Sequence, residues 1–248
     1  MRWPGLRRMT SPLLKHERAR ETAKRILKFL VPRRVVQEVL EYRKYKRFER
    51  PLYLKIRMLD GVGLGNRKRR KAPSGARSFL FVCFGNIMRS PMCEALMKRE
   101  LTGFPEVHVT VTSAGLNATP GKPAHPWGIA AAQPFGVSLE GHRARLLTAE
   151  MVSQADVIFA MDYRNQVELF YRYPRAREKV FMLSAYAGLD DRSVEIRDPF
   201  YGDEEETRRC YRILQTCVYN LVSSLASPMP QHHPDTPGHS TPGGPRQG

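Results

Sequence analysis

Cys83 and Arg89 stand six residues apart and bracket the segment Cys83-Phe84-Gly85-Asn86-Ile87-Met88-Arg89-Ser90. An ionised thiol is a strong nucleophile, and a guanidinium is a planar fork able to grip two oxygens of a phosphate. Five intervening residues suffice to curl into a loop whose backbone N–H groups point inward, together with those of a helix N-terminus, and cradle an anion. The field that holds such an anion also stabilises a thiolate. Gly85 and Asn86 are residue types that tolerate the positive φ such a loop requires. The chemistry on offer is attack by sulfur on a bound oxyanion. A bare pair at this spacing would also arise from a strand-end cysteine and an unrelated arginine, so the flanking elements decide.

Those elements favour the loop. Phe79-Leu80-Phe81-Val82 is a continuous apolar run, the pattern of a strand buried on both faces of a parallel sheet. After the loop, Ser90-Pro91 opens a helix with proline in its first turn. Further strand-like runs are Val107–Thr112, Val157–Met161 and Val180–Leu183, and helical stretches cover about 124–133, 148–154, 163–173 and 203–225. Pro134 should truncate the first of these helices, and the last carries Tyr211, Leu214, Val218, Leu221 and Leu225 on one face. The alternation predicts a doubly wound α/β fold, a mainly four-stranded parallel sheet flanked by helices. In such sheets ligands bind at the carboxyl ends of the strands, where Cys83 stands.

Charge divides the chain. Residues 1–78 carry 24 Lys/Arg against 6 Asp/Glu, and the remainder 17 against 18, so the net +17 belongs to an extension ahead of a nearly neutral module. We read 1–77 as a basic, amphipathic helical extension and linker, 78–226 as the catalytic module and 227–248 as a disordered Pro/Gly/His-rich tail. In the extension, Ala19, Ala23, Ile26, Leu27 and Leu30 repeat at helical spacing up to Pro32, and Val35, Val36, Val39 and Leu40 form a second stripe. Leu52, Leu54, Ile56 and Met58 alternate after Pro51, which suits a strand or a short helix. Gly61, Gly63 and Gly65 with the run Arg67–Lys71 read as linker, and Met58 is available as an internal start. Lys and Arg among apolar stripes suit an anionic membrane surface, an acidic groove on a partner or, less well, nucleic acid. A solvated basic hairpin packed on the catalytic module is the plain alternative. No stretch reaches the roughly 18–20 apolar residues of a membrane span, and no secretory leader is evident. Four cysteines in 248 residues do not make a disulfide scaffold. A cytoplasmic protein, at most peripheral to a membrane, is the expectation.

The stretch Phe81-Val82-Cys83-Phe84-Gly85-Asn86-Ile87-Met88-Arg89-Ser90-Pro91-Met92 closely resembles the active-site loop of the low-molecular-weight protein tyrosine phosphatases. The resemblance runs through about 78–226 and includes Ser113-Ala114-Gly115, His142-Arg143-Ala144-Arg145, Phe159-Ala160-Met161-Asp162 and Asp198-Pro199-Phe200-Tyr201. It implies hydrolysis of phosphotyrosine through a cysteinyl-phosphate intermediate, without metal or cofactor. Cys83 would be the nucleophile, Arg89 the phosphate clamp and Asp198 the general acid and then base. Phe84, Gly85, Asn86, Ile87, Met88 and Ser90 would line the phosphate, with Ser90 placed to donate to the thiolate. Ser113 and His142 would brace the loop with Asn86 and Ser90. Phe200 and Tyr201 resemble the aromatic wall against which a phenyl ring stacks, though taken alone they would equally suit core packing. Partners would be tyrosine-phosphorylated proteins, among them a bacterial tyrosine kinase.

Departures from the pattern sharpen the expectation. Met88 stands where many members carry a second cysteine, so the protective disulfide with the nucleophile should be missing. Cys93, Cys210 and Cys217 read as packing residues, the last two on one helical face. Leu116-Asn117-Ala118-Thr119-Pro120-Gly121 lacks the aromatic that many relatives place at the pocket mouth. Protein arginine phosphatases share the loop but carry threonine where Ile87 stands, and thioredoxin-coupled arsenate reductases need relayed cysteines that Cys210 and Cys217 follow too late in the chain to supply. A non-enzymatic reading, a tethered adaptor that only binds phosphoproteins, is opposed by the intact Cys/Arg/Asp set.

Overall fold

The computed structural model describes residues 39, 42–43, 45–62, 71–73, 75–187 and 195–226. The helix expected over 17–31, most of the stripe at 35–40, the linker 63–70 and the tail from Ser227 lie outside the described residues. The chain divides into two compact units, Met1–Leu59 and Asp60–Gly248.

In the first unit the ambiguous stretch after Pro51 belongs to a helix, α1, over Arg50–Gly61. Proline sits in its first turn, where a missing N–H costs nothing. Tyr53 is buried and stacks on Tyr45 with ring centroids 4.3 Å apart. Leu54, Met58 and Val62, spaced by four, remain 51%, 66% and 64% exposed.

The second unit is built on four parallel strands. β1 (Ser78–Cys83) lies at the centre between β2 (Thr110–Gly115) and β3 (Val157–Ala160), and β4 (Val180–Met182) forms the far edge, giving the order β2-β1-β3-β4. Ser78 pairs with Thr110 and Phe79 with Val157. β2 begins three residues later than its apolar run and extends through Ser113-Ala114-Gly115. Small side chains hide that half of the strand from a hydropathy reading, because it is buried by close packing and not by bulk. The chain leaves β1 towards β2 and returns to β3 on the other side, so the carboxyl end of β1 is a topological switch point.

Helix α2 (Arg89–Leu101) follows β1, α3 (Pro126–Ala132) follows β2, and α4 (Ala149–Gln154) and α5 (Tyr163–Arg172) flank β3. The last element among the described residues is α6 (Glu204–Ala226). Gln133-Pro134-Phe135 tightens into a 3₁₀ turn after α3, as proline demands. Alternation along β1 sends Phe79, Phe81 and Cys83 to one face, where they pack with Met92, Leu96, Leu214, Val218 and Leu221 of α2 and α6. Phe159 is fully buried among Phe79, Phe81, Phe181 and Tyr186. Ala72 donates its N–H to the Tyr186 hydroxyl at 2.8 Å, and Ala76 is buried in the same core, which ties the segment before β1 to this unit.

Cys93, Cys210 and Cys217 are buried thiols, none of them in a disulfide, within the α2–α6 packing. Burial pushes the Cys93 thiol well up and that of Cys210 to about 12, so both stay protonated at neutral pH.

Candidate active site

The loop 84–88 springs from the carboxyl end of β1 and runs directly into α2. The carbonyls of Cys83, Phe84, Asn86, Ile87 and Met88 are drawn outward by surrounding elements. Leu116 N donates to Cys83 O at 3.0 Å, Asn117 N to Phe84 O at 2.9 Å and His125 N to Ile87 O at 2.9 Å. His142 Nε2 meets Asn86 O at 2.7 Å, and the Tyr211 hydroxyl donates to Met88 O at 3.3 Å. A trans peptide points its N–H opposite to its C=O. The amides of Phe84, Gly85, Ile87, Met88 and Arg89 therefore turn away from those elements, towards the centre of the loop. The remaining amide, of Asn86, donates to Cys83 Sγ at 3.3 Å. Five donors converging on one point beside a sulfur form an oxyanion cradle.

Asn86 is the residue on which this geometry turns. It has φ 52°, the sole positive φ outside glycine among the described residues, and it is fully buried. Its side chain repays the strain by donating to Ser90 Oγ and Ser113 Oγ, both at 2.9 Å, and accepting from Arg145 N at 2.8 Å. Ser113 passes its proton to Glu94 Oε2 at 2.6 Å, and Arg145 and Lys98 close on the same carboxylate. Burial opposes the charge of Glu94, but these donors outweigh it and hold the carboxyl below its ordinary range. Ser90 Oγ accepts from Asn86 and lies 3.0 Å from Cys83 Sγ and 3.3 Å from Ala114 O, so its one proton is shared between the sulfur and that carbonyl. The structure thus brings together Asn86, Ser90, Ser113 and His142, as the sequence led us to expect.

Gly85 plays a different part from the one its type suggested, since its φ is not positive. The glycine the loop depends on is Gly115, at the end of β2. A Cβ there would lie 2.8 Å from Asn86 N and 2.9 Å from the Gly85 carbonyl carbon. Strand and loop can touch only because nothing stands between them.

Arg89 is 1% exposed and both terminal nitrogens are engaged. One donates to Asp162 Oδ2 at 2.6 Å and to Ile196 O at 2.9 Å, the other to Asp198 Oδ2 at 2.5 Å. Burial works against its charge, yet the two carboxylates prevail and the proton is held more tightly than in a free guanidinium. Asp162 also caps α5, accepting from Asn165 N at 2.7 Å. Its position just past the end of β3 was the available signal for a site role, which a reading of types and spacing around Cys83 did not pick up.

Asp198 opens the 3₁₀ turn Pro199–Tyr201 and accepts from Phe200 N at 3.3 Å. The two aromatics after it are not core residues. Phe200 is 38% exposed and Tyr201 92%, with ring centroids 5.1 Å apart. Phe200 meets His125 edge-on at 5.6 Å, and His125 in turn lies 4.9 Å from Trp127. Trp127 packs on Ile87, Met88 and Ala118, so an aromatic reaches the loop from α3, in place of one after Gly115. Phe84 is covered by the Arg164 guanidinium, 4.7 Å from its ring centroid. His125, Trp127, Tyr211, Glu94 and Arg164 were missed in the sequence because each acts across a long sequence separation.

Residues 78–230 match the family model described as low molecular weight phosphotyrosine protein phosphatase. The probable low molecular weight protein-tyrosine-phosphatase EpsP of Ralstonia nicotianae is 38% identical over 124 residues, which are 50% of this chain and 79% of that one. The crystal structure of the tyrosine phosphatase Wzb from Escherichia coli K30, in complex with sulphate, superposes with a TM-score of 0.54 at 31% identity, over 60% of this chain and 99% of that one. The YwlE arginine phosphatase of Geobacillus stearothermophilus gives a TM-score of 0.55 at 31% identity, over 64% and 99%.

Proposed function

The chain belongs to the low-molecular-weight phosphotyrosine protein phosphatase family, and from that premise we propose that it is a protein-tyrosine phosphatase in which Cys83, Arg89 and Asp198 carry the reaction. The observation that bears most weight is the loop itself: five inward amides, a guanidinium and a hydroxyl-supported sulfur share one centre.

In the first step the amides and Arg89 hold the three peripheral oxygens of the phosphate while Cys83 sulfur attacks phosphorus in line. Charge accumulates on those oxygens in the transition state, where fixed donors in a buried site stabilise it most. Asp198 delivers its proton to the departing phenolic oxygen, a step that general acids accelerate by roughly 10²–10⁴-fold. In the second step Asp198, now a carboxylate, takes a proton from the water that attacks the cysteinyl phosphate, and Ser90 steadies the departing thiolate. Ile87, apolar and beside Trp127, suits an aryl group over the charged guanidinium of phosphoarginine.

A substrate panel decides among the enzyme readings. Phosphotyrosine should be turned over without metal, phosphoarginine and arsenate should not, and Cys83→Ser should abolish turnover while the protein remains folded. Turnover by Cys83→Ser, or preference for phosphoarginine, would overturn the assignment, and no turnover by the natural protein would favour the adaptor reading.

The basic extension adds a partner. Among the described residues no helix is long and apolar enough to cross a membrane, but the open Leu54/Met58 stripe of α1 and the excess of Lys/Arg over 1–77 suit attachment to an anionic bilayer. Vesicles of phosphatidylcholine with one-quarter phosphatidylglycerol should retain the protein and lose it on Leu54→Ser/Met58→Ser; equal retention of both removes α1 from that role. Substrates would then be phosphotyrosine proteins at that surface, including a tyrosine kinase.

A further inference from the structure

His125 stands where the phosphate loop and the acid-bearing turn meet. Its backbone N–H donates to Ile87 O at 2.9 Å, which fixes the residue to the back of the loop. Its Nδ1 accepts from Trp127 N at 3.3 Å, which caps α3 and fixes the ring. The free edge of that ring meets Phe200 at 5.6 Å between centroids and 71° between planes. Phe200 in turn is joined to the acid, its N–H donating to Asp198 Oδ1 at 3.3 Å.

The rest of the turn is anchored on both sides of the tip. Ile196 N donates to Met161 O at 2.8 Å, and Ile196 O accepts from Arg89. Cys210 Sγ donates to Arg197 O at 3.7 Å, and past the tip Asp203 accepts from Glu206 N at 2.8 Å and from Thr207 N at 3.0 Å at the start of α6. Between these two points the tip, 198–201, is held by the burial of Pro199, by the Gly202 N–H donating to Pro199 O at 2.9 Å, by the Asp198–Arg89 ion pair and by the seat of Phe200 on His125, and only the last two bear directly on the acid and its neighbouring ring. A bound phosphate competes for the guanidinium nitrogen that Asp198 occupies. At the moment when the acid must act, the ion pair is weakened and the aromatic seat remains.

We propose that His125 is a positioning residue for the general acid: its ring, locked to the phosphate loop, is the buttress on which Phe200 rests so that Asp198 stays over the leaving-group oxygen. The ring touches no reacting atom and exchanges no proton in the reaction. Its Nδ1 is committed to the cap, and its shape is what the site uses. The proposal rests on the phosphatase reading above and adds to it a residue that the chemistry itself does not require.

The experiment compares kcat/KM, which reports the first chemical step, for phenyl phosphate and 4-nitrophenyl phosphate in the full-length protein. His125→Asn keeps a side-chain acceptor for the cap and removes the ring, and His125→Phe keeps the ring and removes the acceptor. His125→Asn should lose about ten- to a hundredfold on phenyl phosphate, the scale expected of a slight misplacement of a reacting group. It should stay within about twofold on the nitrophenyl ester, whose leaving group needs no proton. His125→Phe should restore most of the loss. Equal losses on the two esters, no loss with His125→Asn, or failure of His125→Phe to rescue would each overturn the proposal. Absence of turnover in the unsubstituted protein would instead strike the phosphatase reading, so the two failures are distinct.

Discussion

The loop 83–89 and the turn 196–201 face one another across a single guanidinium, and they are held in different ways. In the loop, five carbonyls are bound outward, one amide is bound to sulfur, and the buried Asn86 side chain makes three further hydrogen bonds. The strained φ of Asn86 survives because so many partners determine it. At the tip of the turn, one ion pair, two short-range hydrogen bonds, the buried Pro199 and the ring contact of Phe200 with His125 do the holding, and Tyr201 lies almost wholly in solvent. Stabilising a transition-state charge requires donors that are already in place and do not relax. Delivering a proton to a group that must then depart requires a carboxylic acid at the rim, able to shift as phosphate enters and phenol leaves. In the mechanism we propose, the rigid half of the site supplies the electrostatics and the more lightly held half the proton.

Two substitutions break this contrast in opposite ways. Asp198→Asn keeps the shape of the turn and removes the proton, so kcat/KM for phenyl phosphate should fall on the order of 10²–10³-fold while 4-nitrophenyl phosphate loses less than about tenfold. Asn86→Ala keeps the acid and loosens the cradle, so both esters should lose kcat/KM together, by about 10–100-fold. It should also cost about 1–3 kcal/mol of stability, since Ser90, Ser113 and the Arg145 amide lose a buried partner. Steady-state kinetics on the two esters reads both. A leaving-group-dependent loss in Asn86→Ala, or a uniform one in Asp198→Asn, would erase the division of labour.

The same contrast explains how much was legible in the sequence. The loop was legible because its pattern is local: Cys83, Arg89 and Ser90, the proposed nucleophile, clamp and support, lie within eight residues, at the end of an unbroken apolar strand and the start of a proline-opened helix. Phe79, Phe81 and the α6 face announced the core by periodicity alone. What stayed hidden depended on contacts over long sequence separations or on smallness. Asp162 reaches Arg89 from 73 residues away and Tyr211 reaches Met88 from 123. Gly115 contributes by lacking a side chain, which no hydropathy pattern shows, and for the same reason the last half of β2 was displaced in the reading. The resemblance to a family supplied Ser113 and His142, but His125 and Trp127, which sit between the two halves of the site, carry no motif of their own.

The smallest effect tests whether the rigid half is also the pH-sensitive one. His142 leans on the loop through Asn86 O, and burial lowers its pKa from the ordinary 6.5, with the charges of Arg145 and Arg143 adding to this and the Asn86 bond and Glu94 opposing it. A depressed pKa means the folded protein disfavours the imidazolium. Above pH 6.5 the ring is neutral in both folded and unfolded chains and stability is at its full value; as pH falls from 6.5 through the lowered folded value, the unfolded chain takes the proton first and stability is lost. Glu94 contributes nothing to that interval, because its carboxyl titrates below its ordinary 4.5 and stays ionised throughout. The ring is only half-buried, so the loss is screened and should amount to about 1–2 °C in Tm between pH 7.5 and 5.5. His142→Gln, whose amide can still donate to Asn86 O but does not titrate, should show a Tm less dependent on pH across that interval than the natural protein. Thermal unfolding of the two proteins in parallel buffers measures the difference; a steeper dependence in His142→Gln would mean that the imidazolium strengthens the loop, and that the brace on Asn86 is built for the charged ring instead of the neutral one.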